Sequence, residues 1–142
     1  LPADVAASIN VELMGLDELY AQSDYISLHA MVTDETKDMI NADAIAKMKD
    51  GVRILNAARG ALIHSADLAD AIHSGKVAGA ALDVYEFEPE ITDALKSFKN
   101  VVLTPHIGNA TFEARDMMAK IVANDAIKKL NGEEPQFVVN RK

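Results

Sequence analysis

The sequence contains no cysteine, which removes disulfides, thiolate metal sites and a cysteine nucleophile. Positive charge is scarce: 14 Lys and Arg stand against 22 Asp and Glu, a formal net charge of −8 at pH 7. That balance argues against a nucleic-acid backbone or an anionic membrane as the main partner. A small anionic ligand needs only one well-placed cation and is not disfavoured. No apolar run approaches the ~18 residues of a membrane span. No signal peptide is expected either, so a cytoplasmic protein is the starting point. His, Asp and Glu show no H-E-x-x-H or related spacing, and no metal is expected. The turn G-x-G-x-x-G that opens a dinucleotide-binding βαβ unit is also missing. The seven glycines fall at 15, 51, 60, 75, 79, 108 and 132, and no two are spaced i, i+2. Either no dinucleotide binds, or the chain begins downstream of that turn. Its opening, Leu1-Pro2-Ala3, lacks methionine and suggests a fragment, a processed product or a trimmed chain.

What is present reads as one core. At 142 residues, 49% hydrophobic and 25% charged, the chain has globular composition and is too short for two full domains. Short apolar runs at Tyr25–Leu28, Val52–Leu55, Val77–Leu82 and Val101–Leu103 have strand length, and Ile9–Leu13 reads as a further short strand. Helical spacing covers Leu16–Gln22, Ala42–Lys49 behind an Asn41 cap, and Ala66–Ser74 behind a Ser65 cap. It continues near Asp93–Phe98 and from Thr111 to Leu130, where Met117, Met118, Ile121, Val122 and Ile127 read as a packing stripe. Phe137-Val138-Val139 reads as a terminal extended piece. Strand, helix, strand at roughly 25-residue spacing is the signature of a parallel, doubly wound α/β sheet. The Ala-rich run Val77–Leu82 suits a strand covered on both faces.

A polar cluster follows each strand: His29, then Asn56 to Arg59, then Asp83 to Glu88, then Thr104 to His106. In an open parallel sheet, ligands bind outside the carboxyl ends of the strands. The chain thus offers His, Arg and Glu at one edge, the material of an acid/base site for an anionic substrate. Arg59, with Gly60 behind it, has a planar fork suited to a carboxylate, and reads equally well as a surface ion-pair residue. His106, between Pro105 and Ile107-Gly108, has an ordinary pKa near ~6.5 and could exchange protons, or could be a capping or core histidine. Glu88 beside Pro89 could pair with an imidazole or sit in a solvated loop; Asp83 could hold a ligand amide or cap a turn. His29 has no assigned role, and His64 and His73 read as solvated.

Taken together, Tyr25-Ile26-Ser27-Leu28-His29, Leu55-Asn56-Ala57-Ala58-Arg59-Gly60, Ala78-Gly79-Ala80-Ala81-Leu82-Asp83-Val84-Tyr85, Glu88-Pro89 and Thr104-Pro105-His106-Ile107-Gly108 occur in order. With their intervals they resemble the D-isomer-specific 2-hydroxyacid dehydrogenases, the family of phosphoglycerate and glycerate dehydrogenases. The resemblance runs from about Leu16 to Leu130. It implies the C-terminal half of a Rossmann-type NAD-binding domain over residues 1–110, with 111–142 a long helix and tail returning toward a substrate domain. It implies hydride transfer between NAD and a small 2-hydroxy or 2-keto acid. Arg59 would bind the substrate carboxylate and polarise the keto oxygen. His106 would be the acid/base, and Glu88 would pair with it and raise its proton affinity. Asp83 would contact the nicotinamide carboxamide, and Ala30, Ala57, His106, Ile107, Gly108 and Asn109 would line the cofactor. A homodimer is expected of the longer protein. Met31 stands where the family usually has proline, which loosens a cofactor-lining loop. A cofactor-sensing, partner-binding relative of co-repressor type, or an inert piece lacking the phosphate-binding turn, are the alternatives. The acid used, and the choice of NAD over NADP, are not read from these residues.

Overall fold

The computed structural model describes residues 2–140; Leu1, Arg141 and Lys142, the last two being the end of the expected tail, lie outside the described residues. The chain divides into two compact units, 1–106 and 107–142. In the first, helices α1 (Ala3–Ser8) and α2 (Leu16–Gln22) precede strand β1 (Tyr25–Leu28). Then α3 (Ala42–Lys47), β2 (Val52–Asn56), α4 (Ser65–His73), β3 (Val77–Leu82), α5 (Asp93–Lys96) and β4 (Val101–Leu103) alternate. The strands lie side by side in the order β1-β2-β3-β4, every neighbouring pair parallel.

Helix α3 starts where the chain supplies acceptors for its free amides. The Asn41 side chain accepts from Ala44 N (3.0 Å), and Asp67 of α4 accepts from Ala42 N (2.8 Å). The Ser65 expectation needs correction. Ser65 is the first residue of α4 and not its cap, and its amide is satisfied from a distant loop by Glu86. Cap bonds aside, the core holds the unit together. Ile26, Val52, Ile54, Val77 and Leu82 from the sheet meet Ile45 of α3, Leu68 and Ile72 of α4, and Leu95 of α5. Each such side chain stabilises by roughly 1.5–3 kcal/mol on leaving water.

That core lies on one face of the sheet. Burial alternates along β1 and β2, and the opposite face leaves Tyr25 (63%), Leu55 (37%) and Val102 (62%) exposed. The Ala-rich β3 has no exposed residue of its own, while its neighbours on this face leave the sheet open to either side. On this open face Arg53 stacks its guanidinium 5.4 Å from the Tyr25 ring centroid. Gly79 of β3 is required by contact rather than conformation: a Cβ there would lie 2.6 Å from the Asn100 carbonyl oxygen.

Ile9–Leu13 is not a strand. Asn10 takes a left-handed conformation (φ 56°), which breaks the extended run, and Ile9, Val11 and Leu13 are all exposed with no strand beside them to complete a ladder.

In the second unit α6 (Phe112–Leu130) begins at Thr111, whose hydroxyl oxygen accepts from Ala114 N (3.1 Å). It buries none of its residues, so the Met117–Ile127 stripe is an apolar surface and not a packed one. The segment Phe137–Val139 forms no strand. Instead the Asp125 carboxylate accepts the amides of Gln136 (2.9 Å) and Phe137 (2.8 Å), which hold its proton affinity below the usual carboxylate range.

Candidate active site

The sheet register sets the site. Leu28 pairs with Asn56, Asn56 with Leu82, and Leu82 with Leu103, so the four strands end level. The residues that follow, His29, Ala57, Asp83 and Thr104, therefore share one carboxyl edge.

At the end of β2, Asn56 is buried (1% exposed) and organises the turn beyond it. Its amide nitrogen donates to the Arg59 carbonyl (2.9 Å) and its side-chain oxygen accepts from Ala58 N (3.0 Å). The Asn56 carbonyl also accepts from Asp83 N (2.9 Å), tying this turn to β3. Arg59 is exposed, and its guanidinium folds back to donate to the Ala58 carbonyl (2.7 Å). Behind it Gly60 touches the next loop directly: a Cβ at Gly60 would sit 1.8 Å from the Tyr85 carbonyl oxygen. Only glycine allows the Arg59 turn to approach so closely.

Beyond β3, the Asp83 carboxylate accepts from the Thr104 hydroxyl (2.5 Å). Tyr85 is buried; its hydroxyl donates to the Thr104 carbonyl (2.6 Å), with the Leu82 carbonyl 3.0 Å away as a second acceptor. Desolvation, then the nearby Asp83 charge, push the Tyr85 pKa up, so the phenol stays a donor. The Tyr85 amide donates to Glu88 Oε1 (3.0 Å), which closes the loop and aims the other carboxylate oxygen outward.

That oxygen, Oε2, lies 2.9 Å from His106 Nδ1. His106 itself is held in the left-handed region (φ 53°), its amide bonded to Thr104 O (3.0 Å) around Pro105. A non-glycine residue in that conformation carries a cost that surrounding contacts must offset, as happens at functional sites. The hydrogen bond from His106 is the main cause holding the Glu88 carboxyl below the usual range; the Tyr85 amide is next. Partial desolvation opposes this, and the charges of His106 and Arg59 add to it. With Glu88 ionised, Nδ1 carries the proton that it donates, and Nε2 is left to exchange protons. Both side chains remain open to a ligand, at 49% and 35% exposure.

The structure thus joins His106 to Glu88 and places Arg59 near enough to act on Glu88 through its charge. Ala57 and Asp83 line one cleft of about 190 Å³ at the carboxyl edge, with Leu55, Ala81 and Thr104. Ala30 follows β1 and is half-buried against the core. Ile107, Gly108 and Asn109 open the second unit, where Ala110 N donates to Ile107 O (2.9 Å). Met31 is 80% exposed; its carbonyl accepts from the Thr36 hydroxyl (2.6 Å), which closes that loop without a proline. His29 Nε2 lies 2.9 Å from Ser27 Oγ. His64 is not simply solvated, since its Nδ1 lies 3.0 Å from Asp67 Oδ1. No metal-binding group of His, Asp and Glu occurs among the described residues. Asn56, Tyr85 and Thr104 fall in the polar clusters that the sequence marks after the strands, but their hydrogen-bond roles come only from the structure.

A parallel four-stranded sheet with helices, carrying a histidine–carboxylate pair and an arginine near its carboxyl edge, has the architecture of a Rossmann-like α/β domain. Residues 2–108 match the family model described as D-isomer specific 2-hydroxyacid dehydrogenase, NAD binding domain, and the chain belongs to that family. A Staphylococcus epidermidis protein assigned by name to the 2-hydroxyacid dehydrogenases is 58% identical over 132 residues, which cover 93% of this chain and 42% of that protein. Among solved structures, a glyoxylate reductase from Paecilomyes thermophila superposes with a TM-score of 0.88 at 39% identity, covering 99% of this chain and 42% of that one. A D-lactate dehydrogenase with NAD+ from Lactobacillus jensenii gives 0.86 at 30% identity, with 99% and 46% covered. The chain therefore spans less than half the length of these relatives. The matched region is the domain by which the family binds NAD.

Proposed function

We propose that this chain serves, within a longer protein, an oxidoreductase that moves hydride between NAD(H) and carbon 2 of a small 2-hydroxy or 2-keto acid. The observation that carries the reading is the 2.9 Å contact between His106 and an ionised Glu88 at the sheet's carboxyl edge, within electrostatic reach of Arg59.

The residues present fit the nicotinamide end of the cofactor. The cleft walls at Leu55, Ala57 and Ala81 are apolar, and the Asp83 carboxylate is an acceptor for a carboxamide N–H. NAD, when bound, supplies or takes the hydride. His106 gives a proton to the keto oxygen in reduction and removes it in oxidation, a contribution of roughly 10²–10⁴-fold. Glu88, by accepting from Nδ1, fixes the imidazole tautomer and its orientation. Arg59, once its guanidinium leaves the Ala58 carbonyl, presents a planar fork to the substrate carboxylate. Ala30, Ile107, Gly108 and Asn109 complete the cofactor lining in this reading, and the longer protein works in the cytoplasm as a homodimer.

The test is turnover of 2-keto acids with NADH by the longer protein. His106→Ala and Arg59→Ala should each lower kcat/KM by roughly 10²-fold or more. Wild-type turnover in either variant removes that residue from the assignment.

A further inference from the structure

Helix α4 lacks a cap of its own: His64, which precedes it, makes no side-chain cap bond, and the first helical amide, on Ser65, has no partner inside the helix. The acceptor comes from 21 residues downstream, where Glu86 Oε2 lies 2.9 Å from Ser65 N. Ser65 is buried at 8% exposure, so this charge-assisted bond is partly withdrawn from water.

The two ends of that bond are short extensions of the site's two loops. Upstream of Ser65, only the 3₁₀ turn Gly60–Leu62, Ile63 and His64 separate it from Arg59. Downstream of Glu86, only Phe87 separates it from Glu88. The loops meet at their base, where Asp83 N donates to the Asn56 carbonyl, and again where Gly60 rests against the carbonyl of Tyr85. Both contacts lie before Glu88 in the chain; the bond at Glu86 ties the loop one step nearer to it. We infer that Glu86 is a positioning residue, whose carboxylate clamps the first amide of α4 and thereby sets Glu88, with its partner His106, against the Arg59 turn. His64, Asp67 and Asp38 are the charged groups around this clamp. The inference rests on the site assignment made above.

The substitutions Glu86→Ala and Ser65→Pro test it from both sides. Proline is well suited to the first helical position and removes the amide donor while leaving Glu86 in place. The extended conformation of His64 (φ −76°, ψ 106°) also suits a residue before proline. Glu86→Gln keeps a neutral acceptor of the same shape. In the longer protein, Glu86→Ala and Ser65→Pro should each lower kcat for keto-acid reduction by roughly 10–100-fold, with a smaller change in KM for NADH. The double variant should be no worse than either single one. Glu86→Gln should recover most of the loss. In carboxyl-carbon NMR, the Glu88 titration should move up toward the ordinary range in the two damaging variants and stay low in Glu86→Gln. Should Glu86→Ala fail to fold, Ser65→Pro and Glu86→Gln decide by the same readouts. Folded Glu86→Ala and Ser65→Pro proteins with wild-type kcat and an unmoved Glu88 titration would overturn the clamp. If those variants are unaffected while His106→Ala is inactive, the clamp fails and the site stands; an active His106→Ala removes the site itself.

Discussion

At the scale of single residues, the account turns on which groups hold charge and what surrounds them. His64 illustrates this away from the reacting groups. Its contact with Asp67 and the charge on that carboxylate raise its pKa above 6.5, with Glu86 and Asp38 adding and partial desolvation opposing. A raised folded-state pKa means the protonated ring stabilises the fold fully below its unfolded value, and the contribution disappears as pH rises through the higher folded value. Thermal stability scanned upward from about pH 6 should therefore fall through the neutral range in the wild type and change less in His64→Gln. Equal slopes in the two proteins would show that His64 is not the group responsible. Glu88 has the opposite sign. Its lowered pKa gives a contribution present at neutral pH and lost only on acidification.

Secondary-structure elements carry the next level. Gly60→Ala places a methyl group against a backbone carbonyl at 1.8 Å, and no side-chain rotation relieves that contact. The loops must part, at a cost of roughly 1–3 kcal/mol. Chemical denaturation should report the loss, and turnover by the longer protein should fall with it. An Ala variant of full stability would mean that the loops do not depend on this contact. The four strands were legible because β-prone runs of strand length, punctuated by Gly51, Gly75 and Pro105, leave few alternatives. The strand expected at Ile9–Leu13 failed because alternation alone does not supply a neighbour to pair with. The small residues of β3 also record close approach, as at Gly79 and Asn100. Arg59, Glu88 and His106 were candidates because each follows a strand end, and the structure brings Glu88 to 2.9 Å from His106. Tyr85, Asn56 and Glu86 lay in the same clusters without roles, since their roles arise from hydrogen bonds between residues brought together only by the fold.

At the scale of the whole chain, the described residues leave much apolar surface uncovered. No helix among the described residues is long and apolar enough to cross a membrane. Yet α6 leaves Phe112 (92%), Val122 (69%) and Leu130 (87%) exposed, and the sheet leaves one face open. Parallel sheets are ordinarily covered on both faces, which agrees with a chain that spans 42% of its relative from Staphylococcus epidermidis. The phosphate-cradling glycine turn is not among these 142 residues. Calorimetry on the 142-residue chain should accordingly show weak NADH binding or none, whereas the longer protein should bind it; tight binding by the shorter chain would relocate the phosphate site.

The rate of keto-acid reduction by Glu88→Gln in the longer protein tests the proposed chemistry most directly. Glutamine keeps the shape and an acceptor for the imidazole but removes the carboxylate that makes the 2.9 Å bond charge-assisted. If His106 acts as the acid/base held by that bond, kcat should fall by roughly 10-fold or more with little change in KM for NADH. A kcat equal to the wild type would contradict the pairing of His106 with Glu88 as the acid/base unit.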